Sequence, residues 1–397
     1  MLEAGVMSRG ILNRISNLLE VIGLFLRLGA TAFGGPAAHI ALMEQEVVVR
    51  RGWLSRAEFL DLLGIVNVLP GPNPTEMALL IGYRRAGWPG LVLGGICFIL
   101  PAVVIVSGIA WAYVNYGKLQ QTEAIFYGIK PVIIAVMVQA MWHLARTAVK
   151  TPLLAIVGIG GVVAGFYDLN LLLILLVSGV LMLIARAAAQ PSRRATGCVP
   201  PLLGTTTGFR LLSTAGTMAP FALKPMLLFF LKVGAVMFGS GYVLVAFLHN
   251  ELVEHRQWLT ESQLLDAVSM GQFTPGPLFS TATFIGYVLG GPQAAGLATV
   301  AVFLPAFVFC SLVAPFAARL RQSRLVTGFV AGLNVASLAL MFVVTWRLGP
   351  VALMDWLTIS LGVAAAVWLL FYRVNSTWLI LAGAAVGLAR FVFENNF

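Results

Sequence analysis

The 397-residue chain is 59% hydrophobic and 10% charged, with a mean hydropathy of +0.93. Soluble domains carry about 25% charged residues, so the composition excludes a water-soluble globular protein and marks an integral membrane protein. The formal net charge of +10 comes from Lys and Arg scattered among the loops, which argues for retention of basic loops on the cytoplasmic side and against a nucleic-acid partner.

Residues 11–22 are mildly amphipathic and too short to cross a bilayer, so 1–24 is expected as an N-terminal surface helix, with no signal peptide evident. A hydrophobic segment at 25–43 follows, interrupted by Phe33-Gly34-Gly35-Pro36, and then a charged loop at 44–56. The next apolar stretch, 57–83, contains Pro70-Gly71-Pro72. Proline removes a backbone donor and clashes with the preceding turn, so this segment should split into two half-helices. Beyond Arg84-Arg85, spans are predicted at 88–114, 124–145, 151–166 and 171–185, and Pro131 beside Lys130 is expected to break the second of these. A linker rich in Ala, Ser, Thr, Pro and Gly at 186–224 is read as cytoplasmic; it divides a first transporter repeat, 25–185, from a second, 225–397. In the second, segments are predicted at 226–248, 262–289 (around Pro275-Gly276-Pro277), 294–316, 326–345, 351–371 and 378–392.

The halves repeat each other. An offset of 205 positions carries Phe25-Leu26-Arg27 onto Phe230-Leu231-Lys232, Phe33-Gly34 onto Phe238-Gly239, and Arg51, Trp53, Leu54 and Asp61 onto Arg256, Trp258, Leu259 and Asp266. The two Pro-Gly-Pro breaks then coincide, and after a one-residue gap Gly82-Tyr83 meets Gly286-Tyr287 and Leu100-Pro101 meets Leu304-Pro305. Such a repeat predicts a pseudo-two-fold transporter architecture with sites at the repeat interface.

Loop charge flips between the halves. Arg84-Arg85 is basic while 288–293 is uncharged, and the loop near Lys118 and Glu123 is neutral while its counterpart carries Arg319, Arg321 and Arg324. By the positive-inside rule the repeats are inverted. Inversion requires an odd number of crossings per half, so 25–43 and 226–248 are assigned as crossings and 57–83 and 262–289 as re-entrant hairpins. The expected fold is an all-α membrane protein of two inverted homologous repeats, about ten transmembrane helices plus two Pro-Gly-Pro hairpins. Both termini then lie outside. Ser55-x-x-Glu58 and Thr260-x-x-Gln263 are matching capping boxes at the hairpin starts.

A broken helix offers free N–H groups and the positive end of its dipole, a setting that suits an anion. Candidate substrate residues are Gly71, Asn73 and Thr75 in the first half and Gly276, Ser280 and Thr281 in the second, with Gly34, Gly35, Gly239, Ser240 and Gly241 at the other pair of breaks. Arg27 and Lys232, equivalent cations inside their segments, are candidates for attracting it, unless they snorkel to the interface. Glu76, just after the first break, and the symmetric Asp61 and Asp266 are candidates for proton coupling. His39 stands alone in its span and is read as a hydrogen-bonded packing residue. Cys97, Cys198 and Cys310 form no close pair, and no metal, Walker-type or Gly-x-Ser-x-Gly motif appears, so neither a metal, another cofactor nor an enzymatic activity is expected.

The run Leu28-Gly29-Ala30-Thr31-Ala32-Phe33-Gly34-Gly35-Pro36-Ala37-Ala38-His39, with Leu69-Pro70-Gly71-Pro72 and Ile81-Gly82-Tyr83-Arg84-Arg85-Ala86-Gly87, resembles the chromate ion transporter family, long-chain two-domain type. Phe238-Gly239-Ser240-Gly241-Tyr242-Val243-Leu244 and Pro275-Gly276-Pro277-Leu278-Phe279 are similar in the second half. Asn73-Pro74 and Ser240 depart from the family pattern and bear on substrate preference. The resemblance implies a multi-pass protein of a bacterial inner membrane that exports chromate from the cytoplasm and confers chromate resistance, with sulfate as a competing oxyanion; a homodimer is compatible with it. The residues by themselves favour a secondary transporter of a tetrahedral oxyanion, with an anion channel as the alternative and an intramembrane enzyme acting on a phosphorylated lipid as a third reading.

Overall fold

The computed structural model describes residues 2–117, 119–188, 221–238, 241, 243–316, 324–372 and 375–396. Most of the linker, together with Cys198, Gly239 and Ser240, lies outside the described residues. The described chain is helical, without strands.

The first repeat runs α1 (Leu2–Thr31), α2 (Gly35–Glu44) with a π-helical turn at Gln45–Arg50, α3 (Arg56–Val66), α4 (Asn73–Tyr116), α5 (Gln120–Ala148), α6 (Pro152–Phe166) and α7 (Leu171–Ala188). The second runs α8 (Leu223–Val236), α9 (Val243–Leu248) with a π-helical turn at His249–His255, α10 (Glu261–Phe273), a 3-10 turn at Leu278–Ser280, α11 (Thr281–Val313), α12 (Arg324–Ala352), α13 (Trp356–Phe371) and α14 (Ser376–Asn396). Six helical runs among the described residues are long and apolar enough to cross a membrane, and α6 and α13 are shorter apolar helices.

Several boundaries differ from expectation for local reasons. The helix that begins before residue 24 does not stop there, because nothing in Val21–Phe25 breaks it; α1 continues to Thr31. The charged loop at 44–56 is largely helical: a π-turn absorbs Gln45–Arg50, held by Arg27, Arg50 and Arg51, all reaching Glu46. Pro131 does not interrupt α5. The segments 25–43 and 226–248 are each interrupted, the first at Gly34 (φ 107°) and Gly35 (φ 78°), the second after Val236.

Helix α4 is a sharp hairpin. Ala86 and Gly87 leave helical geometry, Gly87 at φ 66°, and the arms on either side pack so closely that a Cβ on Gly94 would lie 3.0 Å from the Ala78 carbonyl. Helix α11 turns in the same way at Gly290 and Gly291, the latter at φ 70°. The Pro-Gly-Pro segment of the first repeat is therefore α3, a break, and the short first arm of α4, about a dozen residues each way. A capping box starts each hairpin, at Ser55/Glu58 and Thr260/Gln263.

The two repeats interlock. Helix α1 packs on α4 and α8 on α11, while α7 of the first repeat lies against α12 of the second and α14 lies against α5. Small residues allow the last contact: Gly128 faces Gly383 and Gly387 with no room for a side chain, the close-approach packing typical of membrane helices. Arg347 on α12 reaches Asp168 of the first repeat at 2.5 Å and also pairs with Glu254.

Asp355, the N-cap of α13, ties that helix to its neighbours. Its carboxylate accepts from Tyr127 Oη at 2.5 Å, from the Thr358 amide at 2.9 Å and from Arg390 at 2.9 Å. These donors, the Tyr127 hydroxyl foremost, hold its pKa well below the usual carboxylate range. A depressed carboxylate stabilises the fold above its unfolded pKa, and that contribution disappears as pH falls through the folded value. Asp355→Asn should therefore lower the detergent melting temperature at pH 7, and the gap from the unsubstituted protein should narrow on acidification.

Candidate functional site

The helix breaks of the two repeats meet. Gly71 N–H donates to the Met237 carbonyl at 2.8 Å, and Gly276 N–H donates to the Ala32 carbonyl at 3.0 Å. Gly71 and Gly276 are equivalent by the 205-residue offset, as are Ala32 and Met237. Each Pro-Gly-Pro loop thus reaches across and bonds the carbonyl just before the other repeat's Phe-Gly step. Both glycines are left-handed, at φ 143° and 98°, a geometry that side-chain-bearing residues rarely adopt.

Between the breaks lies a cleft with about 30 Å³ open inside it, lined by Gly34, Gly35, Pro36 and His39 of the first repeat, by Pro72, Asn73 and Pro74 after its hairpin break, and by Gly241, Gly271, Gln272, Thr274 and Gly276 to Phe279 of the second. Among the described residues, no Asp, Glu, Lys or Arg lines it. The N-termini of α2 and α4 open onto it, bringing positive dipole ends to a wall built of glycines, prolines and amides.

Of the residues singled out in the sequence, Gly34, Gly35, Asn73, Gly241 and Gly276 line this cleft. Asn73 also donates to Asn67 across the break at 3.0 Å. Gly71 lies just outside, its backbone against Glu76. Thr75 is buried with its hydroxyl unpartnered, while Thr281 donates to the Leu278 carbonyl at 2.8 Å and Ser280 is buried beside it. Arg27 pairs with Glu46 at 2.5 Å instead of entering the cleft, and Lys232 is exposed.

The carboxylates separate into three environments. Asp61 is exposed. Asp266 is buried, accepts from Tyr113 at 2.8 Å and lies 3.2 Å from Lys130, which also donates to Ser262. Glu76 is wholly buried and neither of its oxygens has a partner.

The polar cleft residues Gln272, Thr274 and His39 are not among the substrate candidates drawn from the sequence. Gln272 was detectable, because the offset sets it on Asn67, an amide before each break. His39 was read only as packing, and it does bond the Ala32 carbonyl at 3.0 Å, but it also forms part of the wall.

A family profile described as "Chromate transporter" matches this chain twice, over residues 19–183 and 225–388. The chain belongs to the chromate transporter family. Among curated relatives, a chromate transport protein of Cupriavidus metallidurans is 32% identical over 314 residues, covering 75% of this chain and 74% of its own. A probable chromate transport protein of Synechococcus elongatus is 32% identical over 306 residues, 76% of each chain, and a chromate transport protein of Pseudomonas aeruginosa is 32% identical over 308, or 73% and 71%. No solved structure matches. The paired matches of the chromate transporter profile end at 183 and begin again at 225, on either side of the polar interval.

Proposed function

We propose that this chromate transporter family member is a secondary transporter that exports chromate, or a sulfate-like tetrahedral oxyanion, from the cytoplasm through the cleft between its helix breaks. In a bacterial inner membrane that activity confers chromate resistance. The observation that carries the reading is the reciprocal pair of hydrogen bonds, Gly71 to Met237 and Gly276 to Ala32, because it joins the interrupted backbone of both repeats around one polar cleft. Unwound backbone inside a membrane is tolerated where it lines a cavity, and oxyanions bind at helix N-termini.

The repeats are inverted in this reading, with the two Pro-Gly-Pro segments as re-entrant hairpins and ten further crossings. The flip of loop charge and the hairpin turns at Gly87 and Gly291 support it. Alternating access then follows from rocking one repeat against the other, with the Gly71 and Gly276 bridges broken and remade. Glu76 is the proton carrier: an ionised carboxylate with no partner in the interior is costly, so a proton belongs with it there.

Uptake into inside-out vesicles tests this. Chromate uptake should saturate, respond to pH and be inhibited by sulfate. A flux that follows potential without saturating would assign a channel, and absence of any oxyanion flux would remove the reading. Glu76→Gln should flatten the pH dependence of maximal turnover; an unchanged profile would move the proton to another group.

A further inference from the structure

His39 is 3% exposed, and its ring is held in one orientation, with Nε2 3.0 Å from the Ala32 carbonyl and the Phe98 ring edge-on at 5.8 Å between centroids. A carbonyl only accepts, so Nε2 carries the hydrogen, and in the neutral ring Nδ1 is then a bare acceptor. Nδ1 is buried and has no partner, in a residue that lines the cleft. A buried polar atom left unsatisfied is unfavourable, and an acceptor calls for a hydrogen.

A fully deprotonated oxyanion brings none. Its oxygens and Nδ1 would meet lone pair to lone pair. Among the described residues the cleft also offers no Lys or Arg to balance two negative charges. One proton placed between Nδ1 and an oxyanion oxygen resolves both problems: it makes the hydrogen bond and halves the charge entering the low-dielectric interior.

We propose that the cleft binds the oxyanion together with one proton, and that His39 Nδ1 is the atom that holds it. This rests on the oxyanion reading of the cleft and goes further, naming the cargo as an oxyanion plus a proton, with net charge −1. The proton comes from water and no bond of the oxyanion breaks. The described groups facing the ring are uncharged, so the incoming anion is what makes a proton there favourable: they are the Ala32 carbonyl from the end of α1, Phe98 from α4, and at the cleft Asn73, Gln272 and the Gly276 loop. Arg27 is occupied by Glu46, and Glu76 packs against Gly71 without lining the cleft. The shared Ala32 carbonyl, which also accepts from Gly276 N–H, puts the protonated ring in direct contact with the inter-repeat bridge. An inside-negative potential still favours outward movement of this cargo, by half as much as it would favour the dianion.

The test is proton uptake on binding, read with a pH-indicator dye in weakly buffered detergent solution at pH 8, where chromate is the dianion. The unsubstituted protein should take up close to one proton per chromate bound, and its affinity should weaken up to tenfold per pH unit at alkaline pH. His39→Gln, whose amide can still donate to Ala32, should bind chromate more weakly with no proton uptake and a flat affinity profile. Saturable binding by the unsubstituted protein without proton uptake would overturn the inference while leaving the oxyanion reading intact, and so would full uptake by His39→Gln. Absence of saturable binding of chromate, sulfate and molybdate would remove the oxyanion reading itself. The count for the unsubstituted protein decides the matter even if His39→Gln fails to fold.

Discussion

Gly71→Leu and Gly276→Leu are each expected to reduce oxyanion transport to background while the chain still inserts in the membrane. The two positions fail for the same two reasons. Both sit at positive φ, 143° and 98°, where a branched residue costs on the order of 1–3 kcal/mol in backbone strain. Both are also enclosed: a Cβ on Gly71 would lie 2.6 Å from Glu76 Oε1 and 3.5 Å from Ala306, and one on Gly276 would lie 2.8 Å from Ala102 Cβ and 3.1 Å from the Gly29 carbonyl. The neighbours are themselves related, Ala102 answering to Ala306, so the repeats have built the same socket twice. A leucine must push the loop out of that socket and break the N–H bridge to the opposite repeat. Insertion is set by the apolar helices, which neither change touches. Membrane-fraction recovery together with vesicle uptake checks both halves of the expectation; normal uptake by both variants would detach the bridge from transport.

The sequence made the fold's repeat readable because the repeat is written in residues with few substitutes. Gly-Pro steps, capping boxes and the Arg–Trp pairs recur at one offset, and the structure returns them as paired breaks, paired hairpin turns and stacked Arg51 on Trp53 and Arg256 on Trp258, at 5.2 and 4.9 Å. What the pattern could not express was three-dimensional exchange between halves. Nothing in 205-residue periodicity says that α7 leaves its own repeat to pack on α12, or that the amide of Gly71 is used by Met237. The residues hardest to place were those without a repeat partner. Lys130 has Asn334 as its second-half counterpart, and His39 has Leu244, so the repeat points to neither. Asymmetry of this kind is what a pseudo-symmetric scaffold uses to make its two sides different. Arg27, matched by Lys232, suggests a substrate role from the repeat alone, and in the structure its guanidinium is paired with Glu46.

Lys130→Met is expected to destabilise the protein by about 3–5 kcal/mol, because it leaves Asp266 buried with only the Tyr113 hydroxyl for company. Asp266→Asn should cost a comparable amount, now stranding an ammonium whose remaining partner is Ser262. The penalties are not additive. In Lys130→Met/Asp266→Asn no charge remains, Asn can still accept from Tyr113, and most of the lost stability should return in detergent melts. The pair joins α5 of the first repeat to α10, the helix that leads into Pro275-Gly276-Pro277, whereas the matching Asp61 on α3 is exposed. One hairpin is therefore tied down by a buried ion pair, whereas the pairs on its twin, Glu58 with Arg84 and Arg56 with Glu44, are open to solvent. If the double variant folds and transports chromate with an unchanged pH profile, Asp266 is a structural partner that fixes the second hairpin. If it folds and its transport no longer responds to pH, the proton travels through this pair, and Glu76 loses that role.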